Sequence, residues 1–519
     1  MTTHMVYLIG AGPGSADLIT VRGQQCLAAA DVVLYDHLVH ARLLHTARAD
    51  AERIDVGSAA PQPMEQEAIC YLLAEKAREG KTVARLKWGD PFVFDSGGAE
   101  ALFLHEQRVP FEVVPGVPAA IGAASYAGIP LTYPGGGDTL TFVRGHEDEG
   151  HTRAAIDWDS LARLDGTIVC YAGPEHLPHM LNALLSAGRP PEDTAALIYD
   201  GTLPTQQTIQ GTLAEIAAQV KYLTDRRAAI LIVGRVAALR EHLRWFDARP
   251  LFGKRILVTR PREQAAELVS RLEALGAQPI EAPMISIAPP ESYDALDEAC
   301  LRCDEFDWIV FSSGHAVDAF ITRLLASPRD LRALKDVRLC TVGPSTAERL
   351  ARAGIKVDLI PNEARAEGVV QAILDAGSVA GKQILLPRAD IGRELIGDEL
   401  RKHGANVHDV VAYRTVSLDF ERAGAPAIYQ MLLEHQIDVV TFTSPSAVRN
   451  FVELLGEEPA ADLLRPTIVA SIGPVTAAAA TEYGIHSAVV PTTYTIAALV
   501  DAIRAHFDTP PAAAHGASK

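Results

Sequence analysis

Gly10-Ala11-Gly12-Pro13-Gly14 is the first stretch whose residue types suit chemistry. It follows the apolar run Val6-Tyr7-Leu8-Ile9 and precedes a Leu- and Ala-rich helical pattern. Glycines at such a junction let a ligand approach the backbone closely. The spacing is G-x-G-x-G, not the dinucleotide G-x-G-x-x-G, and Pro13 removes one N–H donor. A nicotinamide cofactor is therefore disfavoured, and a tight structural turn is the competing reading. A second set recurs further on. Ser312-Ser313, Ser345-Thr346, Thr443-Ser444 and Thr476 each sit where a strand pattern gives way to a helix. Such residues cap helices; around one cleft they would also present hydroxyls and N–H dipoles to carboxylates. Arg260, Arg388 and Arg414 lie near strand ends and could add charge-assisted contacts, with a structural or surface role as the alternative. After residue 253 there is no nucleophile elbow, phosphate loop, metal cluster or Ser/His/Asp signature. Cys300 and Cys303 form a lone C-x-x-C without a second ligand pair, so they read as two thiols on a helix face rather than a metal site.

These residues need elements to place them. The chain has 519 residues, which at about 150 per domain suggests three or four compact units. Hydrophobic residues make up 48% and charged residues 22%, enough for large cores and against wholesale disorder. Lys and Arg number 47 against 65 Asp and Glu, a formal net charge of −18. That field repels nucleic acid and anionic membrane surfaces, so neither is an expected partner. An anionic substrate must be met by local Arg, backbone N–H groups or helix N-termini. Six cysteines are too sparse for a disulfide framework. No signal peptide is visible, and no apolar run approaches the roughly 20 residues of a membrane span. A soluble, cytoplasmic protein is expected.

Strand and helix patterns alternate throughout, which predicts an α/β fold with mostly parallel sheets. Asp247-Ala248-Arg249-Pro250-Leu251-Phe252-Gly253 breaks the pattern. The expected organisation is a domain over 1–247, a linker over 248–253, a second domain over 254–508 and a flexible Pro/Ala-rich tail over 509–519. The second domain repeats itself. Residues 255–260 resemble 383–388, 275–277 resemble 403–405, 311–317 resemble 442–448, and 342–346 resemble 472–476, at offsets of 128 to 131 residues. The repeat implies two similar lobes with a cleft between them.

The first half resembles the uroporphyrinogen-III C-methyltransferases of the tetrapyrrole methyltransferase family. The resemblance runs through Val6 to Asp17, Asp31 to Asp36, Arg85-Leu86-Lys87-Trp88-Gly89-Asp90-Pro91-Phe92-Val93-Phe94, Pro110 to Val117 and Ala127 to Thr132. It implies two α/β lobes holding S-adenosylmethionine, and a homodimer. It places Gly12, Pro13, Trp88, Gly89, Asp90, Val93, Pro118, Ala119, Ala172 and Gly201 at the cofactor, and Asp36 as the candidate proton acceptor, with a strand-end cap as the alternative. The sequence departs from the family pattern at five places. Ser58 stands for a proposed lysine proton donor, and Trp88 for a glycine. Asp95-Ser96 replaces a glycine–arginine pair, Pro118 a threonine, and Ala172 a methionine.

The second half resembles uroporphyrinogen-III synthase. Val258-Thr259-Arg260-Pro261, Asp307 to Ser313, Val342 to Thr346, Val411-Ala412-Tyr413-Arg414-Thr415, Phe442 to Val448, Ile472 to Thr476 and Tyr494-Thr495-Ile496 carry it. The resemblance implies hydroxymethylbilane as substrate and Tyr413 as the group aiding departure of its hydroxyl. It makes Arg260, Ser312, Ser313, Thr346, Arg388, Thr443, Ser444 and Thr476 substrate contacts. It also implies that the chain crosses between lobes near Ile287 to Pro290 and Arg414 to Val416. The combined expectation is a bifunctional tetrapyrrole enzyme of the siroheme or cobalamin branch, with no resident metal. A synthase carrying a non-catalytic methyltransferase half, and a non-catalytic tetrapyrrole-binding protein, are the alternatives.

Overall fold

The β-branched and leucine-rich runs are buried on both faces, which is why they assemble into sheets covered by helices. A computed structural model describes residues 5–36, 38–57, 63–145, 156–220, 227–283, 285–361, 366–390, 395–417 and 425–508. Ser58 and the expected tail at 509–519 lie outside these. The chain divides into two compact units, one dominated by residues up to 255 and the other by residues 256–270 and 279–506.

In the first unit, β1 (Val6–Gly10), β2 (Val32–Tyr35), β3 (Glu52–Asp55), β4 (Val83–Lys87) and β5 (Phe111–Val114) form a parallel sheet of order β3-β2-β4-β1-β5. A second sheet follows from β6 (Thr139–Gly145), β7 (Gly166–Ala172), β8 (Thr194–Tyr199), β9 (Gln207–Thr212) and β10 (Ala229–Val233), in the order β6-β7-β10-β8-β9. Only its β6–β7 pair is parallel. This sheet departs from the mostly parallel pattern: a short loop, not a crossover helix, joins β8 to β9, and β10 runs antiparallel to both of its neighbours, β7 and β8. The helix Ala119–Tyr126 leaves the first sheet but packs its small residues Ala119, Ala120, Ala123 and Ala124 on the second, against β7, β8 and β10. The expected linker is ordered as turns, with Leu251 fully buried and the Arg249 guanidinium over the Trp245 and Phe246 rings.

In the second unit, β11 (Arg255–Val258) and β12 (Gln278–Glu281) open one lobe. The chain then builds another from β13 (Ile285–Ala288), β14 (Trp308–Phe311), β15 (Arg338–Thr341), β16 (Gln383–Ala389) and β17 (Asn406–Ser417), and returns to the first with β18 (Val439–Phe442) and β19 (Ile468–Ser471). The sheet orders are β12-β11-β18-β19 and β13-β17-β16-β14-β15. By the repeat offsets, β11 and β12 correspond to β16 and β17, and β14 and β15 to β18 and β19. Each lobe therefore takes half of each repeat, and neither copy forms a lobe alone. The antiparallel pairing of β13 with the end of β17, Ile285 opposite Ser417 and Ala288 opposite Arg414, lies where the crossing is expected. The matching positions share local chemistry. Ser313 and Ser444 cap the helices Gly314–Ala326 and Pro445–Leu455, each accepting a backbone N–H at 3.2 Å. Cys300 is on the helix Asp294–Leu301 but Cys303 starts a separate 3-10 turn, so the two buried thiols do not share one helix face.

Candidate active sites

The first site is built from close backbone approaches at the C-terminal ends of β1, β4 and β5. A Cβ on Gly10 would lie 2.5 Å from the Gly116 backbone, and one on Gly116 would lie 2.2 Å from the Gly89 carbonyl oxygen. Gly12 and Gly89 take left-handed φ values of 81° and 70° and exchange backbone hydrogen bonds at 3.2 and 2.8 Å. Pro13 packs on Gly122, where any Cβ would meet its ring at 2.4 Å. The Trp88 indole N–H donates to the Pro13 carbonyl at 3.0 Å. From the second lobe, the Thr202 hydroxyl accepts the Ser15 N–H at 2.9 Å, and Gly201 packs where a Cβ would lie 2.5 Å from that of Ala123. Val93 and Phe94 insert beside Trp88 against the core of the second lobe, Phe94 edge-on to Tyr171 at 5.1 Å.

The second site draws on the chain just after β11 and β14, where helices begin, and on β17 itself, which carries Tyr413. The Tyr413 and Ser313 hydroxyls are 3.0 Å apart, and the His315 ring lies 5.5 Å from that of Tyr413. From the other lobe, Gln264 reaches the His315 Nε2 at 2.7 Å and accepts the Arg260 Nε–H at 3.2 Å. Burial pushes the Tyr413 phenol above its ordinary pKa, and its hydrogen bond to Ser313 only partly offsets this.

Two family models match this chain, tetrapyrrole (corrin/porphyrin) methylases over residues 5–217 and uroporphyrinogen-III synthase HemD over residues 266–501. The porphyrin biosynthesis protein HemD of Ruminiclostridium josui is 35% identical over 502 residues, 96% of this chain and 98% of that one. The chain belongs to the family that joins a tetrapyrrole methylase to a uroporphyrinogen-III synthase. The uroporphyrinogen-III C-methyltransferase of Bacillus subtilis is 33% identical over 371 residues, 71% of this chain and 76% of its own. The solved uroporphyrin-III C-methyltransferase of Thermus thermophilus, complexed with S-adenyl homocysteine, is 35% identical with a TM-score of 0.40. That match covers 45% of this chain and 99% of the other.

In the methylase half, the structure brings Gly12, Pro13, Trp88, Gly89, Asp90 and Gly201 together. Asp90 is committed to the loop itself. Its two carboxylate oxygens accept the Phe92 and Gly116 N–H groups at 2.8 and 3.0 Å. Pro118 begins the helix that carries Ala119, and Ala119 and Ala172 are buried walls. The Asp36 carboxylate pairs at 2.8 Å with Arg85, which is 1% exposed. Behind Arg85 lies a network that sequence reasoning missed. Glu100 and Lys87 are both 0% exposed. One Glu100 oxygen accepts from Arg85 at 3.2 Å, Lys87 at 3.0 Å and Gln66 at 3.1 Å. Lys87 also donates to the Ser96 hydroxyl at 2.8 Å and pairs with Asp95 at 3.0 Å. Burial alone would raise the Glu100 carboxyl, but Arg85 and Lys87 hold it below its ordinary value. Burial raises Asp95, and Lys87 only partly offsets it. Two cations thus face three carboxylates, the third supplied by the departure at Asp95.

In the synthase half, Arg260, Ser313 and Tyr413 converge, joined by Gln264 and His315, which no motif had singled out. Arg388 instead pairs with Asp409 at 3.3 Å, and Arg414 with Glu291 at 3.2 Å. Ser312 is exposed and Thr443 half-buried. Thr346 and Thr476 occupy matching positions in the two lobes, but at 4% and 3% exposed they offer a substrate little surface. Among the described residues, no cluster of three or more His, Cys, Asp or Glu could hold a metal ion, and no helix is long and apolar enough to cross a membrane.

Proposed function

We propose that the synthase half cyclises hydroxymethylbilane to uroporphyrinogen III with inversion of the last ring, and that the methylase half then methylates that product, feeding the siroheme or cobalamin branch. The observation that carries the reading is that each half assembles a site suited to its own step. The glycine cradle at β1, β4 and β5 fits S-adenosylmethionine, because side chains there would collide with backbone and the open backbone faces the C-terminal ends of a parallel sheet. When bound, that cofactor supplies an electrophilic methyl group. Gly12, Pro13 and Gly89 shape the wall it rests on, and Trp88 adds an apolar face that excludes water. Asp90 holds the Gly116 loop in register from behind. Asp36 is the proton acceptor of this reading, and its pairing with Arg85 keeps the carboxylate oriented for that role.

In the synthase half, the carbon–oxygen bond of the hydroxymethyl group breaks and water leaves, giving a cation that the last ring attacks. Tyr413 stays protonated because it is buried, so its phenol can give the departing hydroxyl the proton with which it leaves as water, and the proton shed by the closing ring restores the phenol. The Arg260 guanidinium meets a substrate carboxylate. The reading includes a cytoplasmic location and a homodimer formed through the methylase half, which sedimentation of the full chain tests. The functional test is anaerobic product analysis from hydroxymethylbilane, with and without S-adenosylmethionine. Isomer III alone, gaining methyl masses when the cofactor is added, is the expected result. Isomer III without any mass gain would leave a synthase with a non-catalytic methylase half.

A further inference from the structure

We propose that His315 is a positioning residue for the cyclisation: as a neutral imidazole it accepts the Gln264 amide N–H and ties the two synthase lobes together beside Tyr413. The inference rests on the synthase reading above and adds residues to it. Arg260 has only donors, so its Nε–H, 3.2 Å from Gln264, must meet the amide oxygen. The amide nitrogen then points at the His315 Nε2, 2.7 Å away, and an amide nitrogen can only donate. That ring nitrogen is therefore the acceptor, and the imidazole carries its proton on Nδ1. Gln264 lies on the helix Arg262–Ala274, behind β11, and His315 on the helix Gly314–Ala326, behind β14. The bond thus runs between lobes, one ring width from Tyr413.

The polarity argues against His315 as the acid of the reaction, since its Nε2 has no proton to give while the bond is made. It also makes the tie sensitive to pH. Protonating His315 would set two donors face to face, with the Arg260 cation behind one of them. The His315 helix itself presents Ser313 and Asp318, and Asp318 is paired with Arg349 of the helix Pro344–Arg352 at 3.2 Å. Strand β17 presents the Tyr413 phenol, with Asp390 acting on that phenol. The Gln264 helix presents Glu267, whose charge acts on Arg260.

The test is the rate of isomer III formation by the full chain between pH 5 and 9 for five proteins: wild type, His315→Asn, His315→Phe, Gln264→Leu and the His315→Phe/Gln264→Leu double variant. A neutral hydrogen bond of about 0.5–1.5 kcal/mol corresponds to about 2- to 12-fold. His315→Phe and Gln264→Leu are expected to lose about that factor in kcat/KM at pH 8, and the double variant no more than either alone. Wild-type kcat/KM is expected to fall on the acid side, where protonation of His315 would break the bond to Gln264. His315→Asn keeps an amide oxygen to accept from Gln264 but cannot titrate. It is expected to recover most of the loss seen in His315→Phe and to lack the acid limb. An acid limb unchanged in His315→Asn, or His315→Phe and Gln264→Leu both within twofold of wild type at pH 8, would overturn the proposal and leave the synthase reading standing. A wild-type protein that makes no isomer III would overturn both.

Discussion

Replacing Lys87 by Met should damage the methylase half more than any other single change in its buried network. The ammonium has three protons and three acceptors, Ser96, Glu100 and Asp95, at 2.8 to 3.0 Å, and its side chain is 1% exposed. Methionine fills much the same volume, so packing changes little and the electrostatic loss dominates. Arg85 is left as one cation among Asp36, Glu100 and Asp95. Removing one partner of a buried pair costs about 3–5 kcal/mol, because the other charge stays buried and uncompensated. At about 1.4 kcal/mol per factor of ten, that is about two to three and a half orders of magnitude in the opening equilibrium. Because a chain of several lobes does not unfold in one step, the assay is hydrogen exchange of peptides spanning β4 and the helix Gly97–Glu106 in the full chain. Asp95→Asn in the Lys87→Met background should return part of the protection, since it removes one stranded charge. Alone, Asp95→Asn should stabilise the methylase half at pH 7. Burial raises the Asp95 pKa, so the folded state binds that proton more tightly than the unfolded chain does. The resulting stability is greatest in acid and is lost as pH rises through the raised value. Protection in Lys87→Met within threefold of wild type would refute the claim that this network is held by its charge balance.

Three further outcomes are expected. Trp88→Phe keeps an aromatic face but loses the bond to the Pro13 carbonyl, and should weaken S-adenosylhomocysteine binding about 2- to 12-fold by calorimetry; unchanged affinity would remove Trp88 from the cofactor wall. Ser313→Ala and Ser444→Ala each delete a cap and should each cost about 1 kcal/mol in thermal unfolding of the synthase half. Only Ser313→Ala should also slow cyclisation, since only Ser313 meets Tyr413, and an equal effect of both on rate would contradict that. All six cysteines are buried, and burial pushes Cys170, Cys300 and Cys340 up to about 12, so native protein should resist iodoacetamide at neutral pH until unfolded. Labelling of any of the three within minutes would contradict their burial.

Much of the fold was readable because the core strands are short apolar runs bounded by glycines. Gly10 to Gly14 and Trp88-Gly89-Asp90 sit where the sequence placed them because glycine is demanded by backbone contacts that any side chain would block. The Arg85–Lys87–Glu100 network was hidden, because a charged residue in a strand reads as a solvent-facing one. The available signal was position: β4 is central in a parallel sheet, all five of its residues are buried, and a charge there needs a partner. The resemblance implies substrate contacts at Thr346 and Thr476, while the first turn of each helix turns those positions inward, which a motif match does not reveal. Gln264 belongs to no motif and His315, although inside the 311–317 repeat, gave no sign of its partner, because their meeting depends on two lobes that sequence periodicity does not orient.

The crossed repeat sets a timetable for making the protein. Strand β11 pairs with β18, about 180 residues later in the chain. At roughly 5–20 residues per second, the first synthase lobe waits about 9–36 s on the ribosome for its own centre. During that interval β11 and β12 are an unpaired edge, open to wrong partners, while the lobe from β13 to β17 can close at once. Translation cut short near residue 430 would therefore yield one finished lobe joined to half of another. The last 80 or so residues decide whether the cleft exists at all.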